Sequence, residues 1–369
     1  MTSVTVRSPH WWAGIGLAVA VSLAAGFSAE WLGESLLGFE KSPISSIVMA
    51  IVIGMIVANS VSVPQPVAEG LRFCTKAILR IGIMLLGIRL SLMGAGRFTL
   101  VALPFVTVAI AIGLTIVGLL GRTLGLSRQL SGLIAVGTSI CGCTAIVATA
   151  PLIKANEAEV SYSIACITLF GLAVMFIYPV LGHFIFPDQP ALAGLFLGTS
   201  IHETAQVAGA GLMYQAQYDA PVALDVATVT KLVRNLSMIA VIPLVGILYA
   251  GDRQPVGDGK VRWVSMIPWF IVGFAAMSAL RTVGDLGERP FGFLTSGQWG
   301  GAVEALQTTA EYCLLLAMAA VGLTSNFAGL RSIGAKPFLL ALLAAVLIGG
   351  GSLLLISLFA GRLIGMVGM

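Results

Sequence analysis

The sequence predicts an all-α polytopic membrane protein with about eleven transmembrane helices, two of them interrupted, arranged as an inverted repeat. Three observations predict it. First, 58% of the 369 residues are hydrophobic and only 10% are charged, whereas a soluble domain carries about 25% charged residues. Second, apolar runs recur at about the twenty-residue length of one bilayer crossing, with short polar gaps between them. Third, two short polar stretches with glycine, Gly137–Thr144 and Gly198–Thr204, lie inside such runs. A bilayer core has no water for freed backbone groups, so broken helix persists there only when buried in protein or lining a cavity.

Crossings are expected at about 11–29, 43–62, 75–95, 99–121, 130–151, 159–183, 190–214, 222–250, 263–282, 302–325 and 335–362. The first follows Arg7 and mimics a signal peptide, but the many runs behind it favour a retained anchor. The chain reads as one membrane domain, with a tail over 1–10 and a linker over 251–262, marked by Gly, Pro and charge. With the N-terminus inside, the inner segments hold Arg7, Arg72, Lys76, Arg122, Arg128, Arg253, Lys260, Arg262, Arg331 and Lys336. The outer segments hold Lys41, Arg97, Lys154, Arg281, Arg289 and Arg362. The excess places the N-terminus in the cytoplasm and the C-terminus outside. One loop resists: 183–190 should be cytoplasmic, yet it carries no Lys or Arg. Trp11, Trp12, Trp31, Trp263, Trp269 and Trp299 fall near span ends, where interface aromatics belong.

Five cysteines, an odd number lying mostly in or beside apolar runs, do not read as a disulfide framework. The net charge of +4 orients the chain and says little about nucleic acid. No P-loop or dinucleotide fingerprint occurs, and no soluble domain of useful size, which excludes an ATP-driven pump in one chain.

Internal echoes organise the rest. Leu86–Leu92 and Val321–Phe327 precede hydrophobic runs in the same way, and the span starting at Ser42-Pro43 resembles the one containing Ile267-Pro268. Spans two to four thus echo spans nine to eleven, an odd lag that inverts the copies. The two Gly-Thr-Ser-Ile stretches echo separately, and a Pro-x-x-Gly pattern follows each, at Pro179/Gly182 and Pro243/Gly246. Their lag is two spans, which preserves orientation. One simple inverted repeat does not hold both signals, so either a break is re-entrant, or the order is permuted, or one echo is chance.

The breaks carry the candidate chemistry. Gly137, Thr138, Ser139, Cys141, Gly142, Cys143 and Thr144 offer hydroxyls and free amides suited to an anion; the alternative is a small-residue helix interface. Thr199 and Ser200 repeat the pattern. His202, Glu203 and Gln206 are candidates for coupling or gating, because ionisable groups inside a span are costly. The alternative for His202 and Glu203 is a cap near the surface. Gln206 stands where a zinc protease needs His, and Cys141-x-Cys143 lacks a second ligand pair, so no metal site is expected. Lys231 and Arg234, three apart on one helix face with Asn235 beside them, can hold an oxyanion or snorkel to the interface, and Asp225 can neutralise them. Glu304 and Glu311 share a face, and the deeper Glu311 can pair with a basic residue.

These strings resemble a known family. Gly137 through Glu159, Gly198 through Gly211, and Lys231-Leu-Val-Arg-Asn235 look like the YeiH-like sulfate exporter family of bacterial inner-membrane proteins, and the resemblance covers roughly 12–365. It implies a secondary carrier in the inner membrane and suggests sulfate or a related small anion. More distantly, Gly87 through Pro179 is similar to the first half of bile-acid/sodium symporter-like and sodium/proton antiporter-like carriers, which cross two broken helices at the midplane. That similarity implies Gly137–Thr144 as the first break. Gly198–Gln206 matches the second by text and Val321–Phe327 by order. The paired Asp residues of some proton antiporters are missing here.

The expectation is a carrier that binds a small inorganic or organic anion between the breaks, coupled to a proton or a sodium ion. No cofactor is expected. A passive anion channel and, more remotely, a membrane enzyme remain open alternatives. A homodimer is the default for symmetric assemblies.

Overall fold

The structure is a computed structural model that describes residues 9–36, 45–61, 64–250, 268–286, 290–325 and 334–367. The described residues form helices and turns, with no strand among them. In chain order the helices are α1 (Pro9–Glu30), α2 (Ser46–Ser60), α3 (Gln65–Phe73), α4 (Leu79–Leu86), α5 (Leu92–Ile112), α6 (Gly118–Thr123), α7 (Arg128–Ser139) and α8 (Cys143–Thr149). Then come α9 (Glu157–Ile185), α10 (Pro190–Ser200), α11 (Thr204–Tyr218), α12 (Pro221–Leu236), α13 (Met238–Ala250), α14 (Trp269–Gly284), α15 (Ser296–Thr324) and α16 (Ala335–Val367). Local sequence explains several starts. Asn156 with Glu159, and Thr295 with Gln298, form complete capping boxes, and Pro190 and Pro221 open α10 and α12. Among the described residues six helical runs are long and apolar enough to cross a bilayer: His10–Glu30, Leu92–Thr123, Glu157–Ile185, Pro221–Tyr249, Ser296–Thr324 and Ala335–Gly361. α1 begins at Pro9, inside the expected tail over 1–10. Residues 1–8, the 251–262 linker, Lys41, Pro43, Trp263, Arg289, Asn326, Phe327 and Arg331 lie outside the described residues.

The chain divides into two compact units. One comprises Met1–Ser91, Gln215–Asp219 and Gly273–Gly329; the other comprises Leu92–Tyr214, Ala220–Val272 and Leu330–Met369. In the first unit α2 and α15 cross with backbones almost touching. A Cβ on Gly54 would lie 2.8 Å from Ala319 O, and one on Gly322 would lie 2.4 Å from Ile51 O. Such small-residue crossings supply dispersion where lipid removes the hydrophobic driving force. Glu311 meets Arg89 Nη1 at 3.3 Å and accepts from Gln215 Nε2 at 3.0 Å, so the expected basic partner of Glu311 is Arg89.

In the second unit the two breaks reverse the chain. The Ser127 hydroxyl, which caps α7, donates to Glu159 Oε1 at the start of α9. Arg128 Nη2 donates to Leu248 O at 2.6 Å, and its guanidinium lies 4.5 Å from the Tyr249 ring centroid. The starts of α7 and α9 and the end of α13 therefore share one end of the unit. α8 returns to that end beside α13: Cys141 Sγ lies 3.0 Å from Met238 Sδ, and a Cβ on Gly246 would lie 3.5 Å from Leu152. α7 and α8 are the arms of a hairpin, close enough that a Cβ on Gly137 would lie 2.8 Å from Ile146 Cδ1.

α10 and α11 form a second hairpin from the opposite end. A Cβ on Gly194 would lie 2.4 Å from Ala223 O, and one on Gly198 would lie 2.7 Å from Ala227 O, so α10 and α12 run in parallel. A Cβ on Gly211 would lie 2.7 Å from Leu224 Cδ1, so α11 runs against α12. α11 also follows α9 towards its end, from Gln206 Nε2 donating to Thr168 O at 3.4 Å to Tyr214 Oη beside His183 Nδ1 at 3.3 Å.

Spans 130–151 and 190–214, expected as interrupted crossings with a re-entrant break left open, are thus hairpins with the breaks at their tips. The twelve residues of α7 and eleven of α10 reach about 17–18 Å, roughly half of a hydrocarbon core about 30 Å thick. Twenty apolar residues report burial and leave the direction of the second half open. α16 completes the unit against α5 and α6, running the other way. A Cβ on Gly121 would lie 3.1 Å from Leu340, and one on Gly113 would lie 3.0 Å from Ile348. Tyr178 Oη of α9 donates to Ala345 O at 3.1 Å.

Candidate functional site at the two hairpin tips

The tips touch. A Cβ on Gly142 would lie 3.4 Å from Glu203 Cβ and 3.6 Å from His202 O. Gly142 holds φ 65° and ψ −127°, a backbone state open in practice only to glycine, and this sets the first turn. The sequence alternatives for the second break are therefore separated: Ile201–Glu203 meets the first tip, while the described part of Val321–Phe327 belongs to the other unit.

A helix ends with four carbonyls that have no partner in the helix. In α7 all four are accounted for. Val136 O accepts from Ile140 N–H, and Gly137 O from Gly142 N–H. Ser139 O accepts from Arg234 Nε at 2.7 Å, and Thr138 O from Arg234 Nη2. Arg234 Nη1 also donates to Thr199 O at 2.8 Å and Ile201 O at 2.9 Å at the end of α10. Lys231 Nζ donates to Ile140 O at 2.9 Å, Ile201 O at 3.0 Å and His202 O. Both side chains are fully buried, so the snorkelling alternative does not describe them. One face of α12 thus carries two cations that join the C-terminal ends of two half-helices, the ends that favour positive charge.

The remaining candidates divide by what their polar atoms do. The Thr138, Ser139 and Thr199 hydroxyls donate to carbonyls of their own helices, at 2.8, 2.6 and 2.8 Å, so those protons are already committed. Cys141 packs on Met238, Cys143 Sγ lies 3.7 Å from Thr168 Oγ1, and Thr144 is exposed. All five cysteines are free thiols. Gln206 accepts from Glu203 N–H at 3.3 Å, half of a capping box for α11. Asn235 Nδ2 donates to Thr204 Oγ1 at 3.1 Å. The half-buried Glu203 carboxylate makes no hydrogen bond among the described residues.

Buried groups without a hydrogen-bond partner gather on the same elements: Ser200 Oγ, both His202 ring nitrogens, Thr228 Oγ1, Thr230 Oγ1 and Asn235 Oδ1. Such groups call for water or a ligand. Thr228, Thr230 and Thr168 escaped the sequence reading; the signal for Thr230 is its place four residues before Arg234, on the same helix face. Glu311 lies in the other unit.

A family model described as Conserved hypothetical protein 698 matches residues 15–341. The chain is 32% identical to a UPF0324 membrane protein of Bacillus cereus over 338 residues, 90% of each chain. It is 33% identical to one of Oceanobacillus iheyensis over 349 residues, 94% of this chain and 95% of that one. It is also 32% identical to one of Agrobacterium fabrum over 343 residues, 91% of this chain and 90% of the other. The protein is therefore a membrane protein of the Conserved hypothetical protein 698, or UPF0324, family, the YeiH-like family that its sequence resembles.

Proposed function

We propose that this protein is a secondary carrier of a small oxyanion, sulfate or a close relative, working by alternating access around the two hairpin tips. The observation that carries the reading is the set of buried hydroxyl, imidazole and amide-oxygen atoms without a partner on the elements that carry two buried cations. Charge supports an anion. Each helix C-terminus offers about half a negative charge, so two of them and an ionised Glu203 roughly balance Lys231 and Arg234. Protonating Glu203 leaves about one positive charge at the tips, so anion and proton bind together. Ser200, His202 and Thr230 hold the anion, since their polar atoms are unspent.

The architecture supports a carrier. α5–α6, the first hairpin and α9 match α16, the second hairpin and α12–α13 in order of packing, with every direction reversed. That is an inverted repeat whose second copy is permuted, and it unites both echoes of the sequence. The eleven crossings expected from sequence then read as nine crossings and two re-entrant hairpins, with the tips near the midplane as in broken-helix carriers. Arg122, Arg128, Lys154 and Lys336 fall at the α7 end of the unit, against Arg97 at the end where α5, α10 and α12 begin and Arg362 late in α16. The basic end faces the cytoplasm of the inner membrane. The Lys-free, Arg-free 183–190 loop then lies outside, and an odd number of crossings keeps the N-terminus in and the C-terminus out.

Single cysteines read this topology with an impermeant maleimide. Leu126→Cys and Ala155→Cys are expected to label only in permeabilised cells and Asp188→Cys in intact cells; labelling of Ala155→Cys from outside overturns the hairpin reading. Function is tested in proteoliposomes. External unlabelled sulfate should accelerate the exit of radiolabelled sulfate with saturation, and an outward proton gradient should speed net exit because anion and proton cross together. Unitary currents without this counterflow identify a channel instead.

A further inference from the structure

We infer that Lys231 and Arg234 are tethered stand-ins for a bound cation: they fill the carbonyl seats that a metal ion takes in other broken-helix carriers, so this protein works without sodium or potassium at its tips. In such carriers, unwound carbonyls and half-helix C-terminal ends coordinate the coupling cation. Here the same atoms exist and are taken. Six main-chain oxygens, of Thr138, Ser139, Ile140, Thr199, Ile201 and His202, receive seven hydrogen bonds from the two side chains. An ammonium has three donors, and those of Lys231 are matched by three carbonyls from both tips. The guanidinium commits its Nε and both Nη atoms in the same way. A free cation would have to displace a fully buried side chain from every oxygen it needs.

The seats are nevertheless built for a small monovalent cation. The Lys231 oxygens converge on a point now occupied by a primary ammonium, with no carboxylate in the set. Removing that side chain leaves three converging carbonyls and room for an ion. The transport part of the inference rests on the carrier reading; the occupancy part does not, and melting temperature reads it without transport.

The test compares wild type with Lys231→Ala in chloride salts of ammonium, potassium, sodium and N-methyl-D-glucamine at equal ionic strength. Wild type is expected to melt at one temperature in all four. Lys231→Ala is expected to melt lower in N-methyl-D-glucamine and to regain about 2–4 °C or more in a small cation, most in ammonium. A wild-type melting point or transport rate that depends on sodium or potassium overturns the inference. So does a folded Lys231→Ala that responds equally to all four salts. If Lys231→Ala does not fold, sodium- and potassium-free transport by wild type decides: an unchanged rate upholds the inference and a lost rate overturns it. Failure of sulfate counterflow with a cation-indifferent melting point removes the carrier reading and leaves the tethered cations in place.

Discussion

Arg234→Met should lower stability by about 3–5 kcal/mol, the usual loss when one member of a buried charged network is removed. The methionine fills much of the volume but donates nothing. Thr138 O, Ser139 O and Thr199 O lose their donor, while Ile201 O keeps Lys231. Buried acceptors left unpaired cost about 1–3 kcal/mol each before relaxation. Arg234→Lys retains the charge without the planar fork, which joins two helix ends at once, so it should fall between the two. Thermal unfolding in mild detergent, followed by tryptophan fluorescence, ranks the three proteins. An Arg234→Met protein as stable as wild type would show that the two tips do not depend on this clamp.

Glu203→Gln should leave the fold intact and reduce proton-driven sulfate transport by at least about tenfold, equivalent to about 1.4 kcal/mol. The fold survives because Gln206 caps the Glu203 backbone N–H, and the carboxylate makes no hydrogen bond among the described residues. The amide has the same shape but carries neither the charge nor a titratable proton. Net flux should therefore lose its dependence on the pH gradient, while sulfate–sulfate exchange under saturating anion persists. Wild-type stimulation by a proton gradient in the variant would remove Glu203 from coupling. Gln206→Ala gives the contrast: loss of the cap costs about 1 kcal/mol and acts through stability, with the gradient dependence retained.

Much of this was legible in the residues. Hydropathy marks the helical runs, because a lipid-facing helix must be apolar along its whole length. Gly137–Thr144 and Gly198–Gln206 marked the tips, because polar strings in apolar surroundings need a structural reason. The spacing of Lys231 and Arg234 put both on one face of α12. What the residues left open was direction. A broken helix that continues and one that turns back have the same composition, and only contacts such as Ser127 with Glu159 separate them. The silent 183–190 loop and the conflicting lags of the two echoes were the sequence signs against two straight crossings. The hydroxyls of Thr138 and Ser139 were overread, since a Ser or Thr near a helix end satisfies itself on its own backbone. Thr228 and Thr230 were missed because a threonine in an apolar run is ordinary until its partners are known.

The packing of α16 has a consequence for biogenesis. Gly113, Gly121 and Tyr178 lean on a helix that begins at Ala335, while the second unit's preceding long helix ends at Ala250. At roughly 5–20 residues per second, the ribosome needs several seconds to supply that wall after the hairpins have entered the bilayer. During that interval the nascent unit exposes glycine-lined surfaces to lipid or to whatever insertion factor shelters them. Ribosome stalling between 250 and 335 should therefore yield a protease-sensitive intermediate, one that release of the chain converts to the resistant form.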